Sequence, residues 1–267
     1  MTPAERRQRF TAALRKRLRA DAAAIDEDVL RVVGTLAELQ ADLRNRIAAV
    51  DASDFTTSSL PGLLQEVDRQ LERWVGRAKG EAAGAIEGAW TRGPQLIAEP
   101  LRAAGAELGR FVIPDSLLDA AKDFTADRIG GLKDAARRRI ESNLRLMVLG
   151  GQTPSQAMLA IGSDVNKGPL KTISLRAESI VRTEGGRIYS ESGQRRLVAA
   201  ADDVKGLQKQ WLRGKSRPNH AIDQVRDVTG KYTLVNGVEL MYPREAGAPV
   251  GEVVNCACQS VPYMASW

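Results

Sequence analysis

The chain has 267 residues, 43% of them hydrophobic and 27% charged, an ordinary globular balance long enough for a sizeable core or two domains. No apolar run approaches the roughly eighteen residues a membrane-spanning helix needs, and two cysteines exclude a disulfide-built scaffold and fit a reducing compartment. Aromatics at 4% argue against a large aromatic-lined pocket or a stacking platform for single strands, and the charged opening MTPAERRQRF contains no legible secretory signal.

The net charge of +6 is concentrated at one end. Residues 1–20 hold Arg6, Arg7, Arg9, Arg15, Lys16, Arg17 and Arg19 against the single acid Glu5, an excess equal to the net charge of the whole chain. This basic arm suits contact with nucleic acid or an acidic protein face. Phe10, Leu14 and Leu18, four residues apart, equally suit the apolar side of a solvated amphipathic first helix that adds little to the core.

The first two hundred residues carry helical patterns almost throughout. Ile25, Val29, Val32, Leu36, Leu39 and Leu43 form a heptad seam, and Ile47 and Val50 extend it. A turn-rich break follows over residues 51–59, with Pro61 suited to the first turn of the next helix. Leu60, Leu64, Val67, Leu71, Trp74 and Ala78 then repeat the seam. Two such segments pack either as an antiparallel hairpin or as a coiled coil with another subunit.

Gly76, Gly80, Gly84 and Gly88 recur every four residues, which suggests either a close helix approach or a deliberately weak helix. Pro94, Pro100 and Pro114 predict a break over residues 93–114. From Asp115, a suitable N-cap, one helical period runs through Leu118, Thr125, Ile129, Leu132, Ala136, Ile140, Leu144 and Met147 to Gly150-Gly151. Within it Lys133, Arg137, Arg138 and Arg139 form a local basic patch, read as a solvated face. Thr153-Pro154-Ser155-Gln156 is a capping-box helix start, and that helix ends near Gly162. A last long helix is predicted from about Leu170 to Ala200.

Composition changes near Asp203, where a boundary is placed. The rest of the chain holds five of the twelve aromatics, the one histidine and both cysteines. Tyr232–Val235 and Val238–Tyr242 flank Asn236-Gly237, a two-residue hairpin signal of type I′, and Val253–Val261 reads as a third strand.

No nucleotide-binding glycine motif and no G-x-S-x-G elbow is present. His220, Cys256 and Cys258 are the good soft-metal ligands. On a strand, cysteines two apart face one side, and a hairpin between them and His220 would bring the imidazole close. Two thiolates and an imidazole suit zinc, with Asp223, Asp227 or water as a fourth ligand. The alternative is two reduced cysteines buried as small apolar groups, with His220 bonded to backbone. Arg182-Thr183-Glu184, beside Gly185-Gly186, is either an exposed helix face or a surface docking on the C-terminal domain through a buried Arg–Glu pair.

Several segments together resemble one family. They are Trp211, then Ser216-Arg217-Pro218-Asn219-His220-Ala221, Asn236-Gly237, Leu240-Met241-Tyr242-Pro243 and Glu252-Val253-Val254-Asn255-Cys256-Ala257-Cys258. With Arg182-Thr183-Glu184 and the capped helix after Gly150-Gly151, they resemble the phage Mu F-like minor head (head morphogenesis) proteins of tailed bacteriophages and prophages, over about residues 145–262. The chain departs from the family's Cys-Arg-Cys in carrying Cys256-Ala257-Cys258, and has Val225 where a glycine is usual. The resemblance implies a non-enzymatic virion protein, in the head interior or at the portal vertex, present in the host cytoplasm during assembly. It implies binding to portal and capsid proteins, few copies, and ejection with the DNA in some members.

The expected fold is α+β, with a helical region 1–203, including the basic arm 1–20, and a small domain 204–267 with a hairpin and a third strand. Two other functions are carried forward. One is a zinc-dependent hydrolase or toxin using His220, Cys256 and Cys258, which lacks a general-base glutamate at a zinc-site spacing. The other is DNA binding through the arm, including contact with packaged DNA.

Overall fold

The computed structural model describes every residue except 51–55, 151–152, 163–169, 215–219 and 221–223. The turn at 51–59 in part, Gly151, residues 216–219, Ala221 and Asp223 therefore lie outside the described residues. The fold is α+β, with a long helical N-terminal region and a small antiparallel sheet near the C-terminus. The helices are α1 (Pro3–Ala48), α2 (Leu60–Ala103), α3 (Asp115–Gly130), α4 (Leu132–Leu149), α5 (Pro154–Ile161), α6 (Lys171–Asp203) and α7 (Val250–Val253). The strands are β1 (Gln208–Leu212), β2 (Val225–Asp227), β3 (Tyr232–Thr233), β4 (Glu239–Leu240) and β5 (Gln259–Tyr263). The chain divides into two compact units: one comprises 1–27, 85–122 and 182–267, the other 28–84 and 123–181. Residues 204–267 belong to the first.

In the second unit the two heptad seams face each other within one chain. Val29, Val32, Leu36, Leu39, Leu43 and Ile47 are buried, as are Val67, Leu71, Trp74 and Ala78. The Trp74 indole N–H donates to Thr35 Oγ1 at 3.0 Å, and Arg31 pairs with Glu81 and Arg77 with Glu38. From Arg31–Glu81 through Thr35–Trp74 to Arg46–Glu66 at 4.0 Å the partner on α2 falls as the residue on α1 rises, which defines an antiparallel hairpin, so intrachain pairing wins over a coiled coil between subunits. The period after Asp115 does not make one helix. Gly130-Gly131 splits it into α3 and α4, while Ile129, Leu132, Ala136, Ile140, Leu144 and Met147 stay buried on one face. The Thr153–Gln156 capping box forms as expected, and Gly162 closes α5 at φ 81°.

In the first unit, α2 runs straight through Pro94 and Pro100, contrary to the predicted break. Each internal proline costs on the order of 3 kcal/mol in an isolated helix. Here Leu96, Ile97 and Leu101 beside them are fully buried with Leu197, Ala200 and Val204 of α6 and its end, and that packing holds the helix together. Of the two readings of the glycine stripe, close helix approach does not hold at three of its four positions. Gly76, Gly80 and Gly84 are exposed, and a Cβ added there meets nothing within 4 Å among the described residues. The close approach is elsewhere: a Cβ on Gly93 would lie 2.2 Å from Ser192 Oγ and 2.3 Å from the Tyr189 carbonyl.

The basic arm is part of this unit's core. Phe10, Leu14 and Leu18 pack on the cluster of Ile97, Leu101 and Leu197, and Phe10 meets Trp267 edge-on at 5.7 Å. Arg17 is held by Asp21 at 2.7 Å and Glu99 at 3.1 Å. The expectation that the arm adds little to the core is therefore corrected. Deleting residues 1–19 should lower the melting temperature by several degrees, since a few half-buried apolar side chains contribute about 1 kcal/mol each. Arg6→Gln/Arg7→Gln/Arg9→Gln should leave it unchanged. Equal melting of the deletion and the full chain would restore the view of a solvated arm.

The sheet has order β2-β1-β5, antiparallel throughout, and β3 pairs with β4. The hairpin forms where expected but not as type I′, which needs two residues at positive φ. Gly237 lies at φ 83° and Asn236 does not share that region; its Oδ1 instead accepts the Val238 N–H at 3.3 Å. The predicted third strand is also revised. Val250–Val253 is a short helix, and the strand begins at Gln259.

Candidate metal centre

The cysteines sit just before β5, in irregular backbone opened by Asn255 at φ 53°. Their spacing still puts both side chains on one side: Cys256 and Cys258 are buried while Ala257 between them is exposed. His220 comes from the segment that follows β1. Its Nδ1 lies 3.3 Å from Cys258 Sγ and 3.5 Å from Cys256 Sγ. The three ligand atoms are all within 4.8 Å of one another, and the residues are 2%, 4% and 0% exposed. This group could hold a metal ion. Asp227 is not part of it: at the end of β2 it is exposed and faces Gln208.

Five residues outside the expected ligand set shape the site. Glu252, on α7, accepts from His220 Nε2 at 2.7 Å, which fixes the imidazole with Nδ1 toward the sulfurs. Asn236 Nδ2 donates to the other Glu252 oxygen at 2.8 Å, so the hairpin turn positions the carboxylate. The Gly214 N–H donates to Cys258 Sγ at 3.3 Å. Only glycine fits there, because a Cβ would come within 2.5 Å of the Ala257 backbone. Trp211 walls the site, edge-on to His220 at 6.0 Å and to Tyr232 at 5.0 Å.

Arg244 is the fifth. It is 2% exposed, held at φ 65°, and donates to the Cys256 carbonyl, to Ser190 Oγ at 2.8 Å and to Gln259 Oε1 at 3.4 Å. Its guanidinium lies against Gly186, where a Cβ would come within 2.8 Å of Nε. The glycine in the middle of α6 is the socket for this arginine. A hydrogen bond from the Cys258 thiol and the Arg244 charge hold Cys256 well below the usual thiol range, against the effect of burial. Cys258 is pushed up by the Cys256 sulfur and by burial.

The Arg182-Thr183-Glu184 segment does dock on the C-terminal residues, through different partners from those expected. Thr183 Oγ1 accepts the Asn255 N–H at 3.2 Å. Arg182 pairs with Asp26 at 2.8 Å, and buried Glu184 with Arg187 at 3.2 Å. A cavity of about 290 Å³ lies between α1, α6 and the cysteine loop, lined among others by Asp21, Arg182, Arg244 and Cys256.

Lys209 on β1 is fully buried behind the site. It donates to the Met241 carbonyl at 2.6 Å and to Gln194 Oε1 at 3.3 Å, above the Tyr232 ring. Burial pushes its ammonium down to about 8, with Glu245 opposing. The unfolded chain therefore binds more protons between pH 8 and 10.5, and this group's contribution to stability rises with pH across that window. In urea melts, the stability of the wild type relative to Lys209→Met should improve from pH 8 to pH 10. A gap that does not change with pH would show that the amine titrates as if exposed.

No protein-family model, curated protein or solved structure matches this chain.

Proposed function

We propose that the chain is a minor head protein of a tailed bacteriophage, of the phage Mu F-like kind, which binds the portal vertex during head morphogenesis. Its C-terminal segment is held by a structural zinc ion. What supports the reading is the convergence of the residues that carry the resemblance. Trp211, Cys256 and Cys258 share one buried cluster with Tyr232 and Leu240, and His220 packs on Trp211 within reach of both sulfurs. Residues far apart in sequence that meet around one possible ion form a folding device.

The donor set fits zinc. Bonds of about 2.3 Å to sulfur and 2.0 Å to nitrogen place tetrahedral N and S ligands about 3.5 Å apart, close to the 3.3 and 3.5 Å found from His220 Nδ1. Zinc would supply a cross-link between the His220 segment and the cysteine loop. A structural role is favoured over hydrolysis because Glu252, the nearby carboxylate, is engaged by His220 and Asn236. It orients a ligand and is not placed as a base.

The test is quantitative mass spectrometry of particles purified from the strain that encodes the chain, combined with cross-linking. The chain should be present in few copies per particle and cross-link to the portal protein. Its absence from particles would overturn the virion reading. DNA cross-links confined to residues 1–20 would favour the arm as a DNA contact.

A further inference from the structure

We propose that α4 and α6 form a sequence-independent binding site for duplex nucleic acid in the second unit, built from Arg138, Arg139 and Arg176. The sequence shows four basic residues on this stretch and gives no reason to separate them. The structure sorts them. Lys133 pairs with Glu72, and Arg137 with Asp68 at 3.0 Å, so these two are spent on the helical bundle. Arg138 and Arg139 are exposed and, among the described residues, have no carboxylate partner. Arg176, from α6, is likewise exposed without such a partner and joins them around one cavity of about 440 Å³.

The remaining described lining is Ala135, Ser142 and Asn143. It contains no acid to offset the charge of the three arginines. Arginine forks match phosphate oxygens two at a time, and Ser142 adds a hydroxyl at the same place. The lining also decides which anion. Protein interfaces are anchored by aromatic or large aliphatic side chains, and the only apolar one here is the methyl of Ala135. Single strands are held by stacking on aromatics, which this lining lacks. What remains is contact with the phosphate backbone, which positions a duplex without reading its bases. The arm lies in the other unit, so the two basic surfaces are tested separately.

The experiment is fluorescence anisotropy of the full chain with a random-sequence 20-base-pair DNA duplex, titrated with salt. The wild type should bind, with little preference between duplex sequences. Arg138→Gln/Arg139→Gln/Arg176→Gln should weaken binding at least about tenfold at low salt and make the log–log salt slope shallower by about two to three, close to one per lost phosphate contact. These residues are exposed, so the circular dichroism spectrum and melting temperature should not change. An unchanged slope in this variant overturns the proposal, and loss of binding in Arg6→Gln/Arg7→Gln/Arg9→Gln at the same time would move the contact to the arm. A wild type that binds inorganic phosphate but no duplex also overturns it. None of these outcomes depends on whether the chain is found in phage particles.

Discussion

Cys258→Ala is expected to lower the melting temperature by about 10 °C or more and to abolish the response to chelator, because it removes a metal ligand from a buried site. As a small buried group alone, the thiol would contribute only about 1–2 kcal/mol. A bound ion adds the free energy of binding to the folded state, which a chelator should remove from the wild type. Treating the wild type with chelator should therefore bring its melting close to that of the variant, and the variant should not respond further. His220→Ala should behave like Cys258→Ala. Glu252→Gln should lie between, since the amide can still hold the ring but withdraws the negative charge that orients it. If Cys258→Ala costs only the small-thiol amount and chelator leaves the wild type untouched, the cluster is two buried cysteines beside a histidine.

The second large effect separates two glycines in the same helix. Gly93→Ala should destabilise the chain by about 3 kcal/mol or more, because the new methyl would overlap atoms that cannot retreat. The nearest are Ser192 Oγ at 2.2 Å and the Tyr189 carbonyl at 2.3 Å, both on α6. Gly80→Ala, from the exposed stripe, should stabilise by about 0.5–1 kcal/mol, the helix-propensity difference between glycine and alanine. Urea melts of both variants read the two signs directly. A neutral Gly93→Ala would mean that α2 and α6 can separate without loss.

What the sequence made legible was set by periodicity and by special residue types. The two seams read correctly because bulky aliphatics repeat on faces that are buried. The choice between an intrachain hairpin and a coiled coil was not legible, since both bury the same residues; cross-helix pairs such as Trp74–Thr35 decide it. The prolines of α2 misled because packing against α6 outweighs a local preference. Helix α6 hid its burial behind a polar sequence: Thr183, Glu184, Ser190, Ser192, Gln194 and Arg196 are all buried. Strand β1 opens with three polar residues, the middle one the buried Lys209, and so gave no alternating apolar signal.

At the site, His220, Cys256 and Cys258 were legible from their chemistry, and the geometry brings all three together. The shared face of the cysteines followed from their spacing of two, although they lie outside a strand. Glu252, Asn236, Gly214 and Arg244 were not legible as site residues. Asn236 reaches the site from the hairpin turn, Arg244 from a positive φ, Glu252 from the four-residue helix α7 and Gly214 from the loop after β1, none of which a periodic pattern encodes. Glu252 lies four positions before Cys256, a spacing with no metal signature of its own.

The most direct measurement is native mass spectrometry of the full chain purified without chelator or added metal, followed by elemental analysis. The expected result is one zinc ion per chain, lost together with cooperative folding when Cys256, Cys258 or His220 is replaced by alanine. A fully folded chain at its bare polypeptide mass, melting at the same temperature with and without added zinc, would contradict the metal centre.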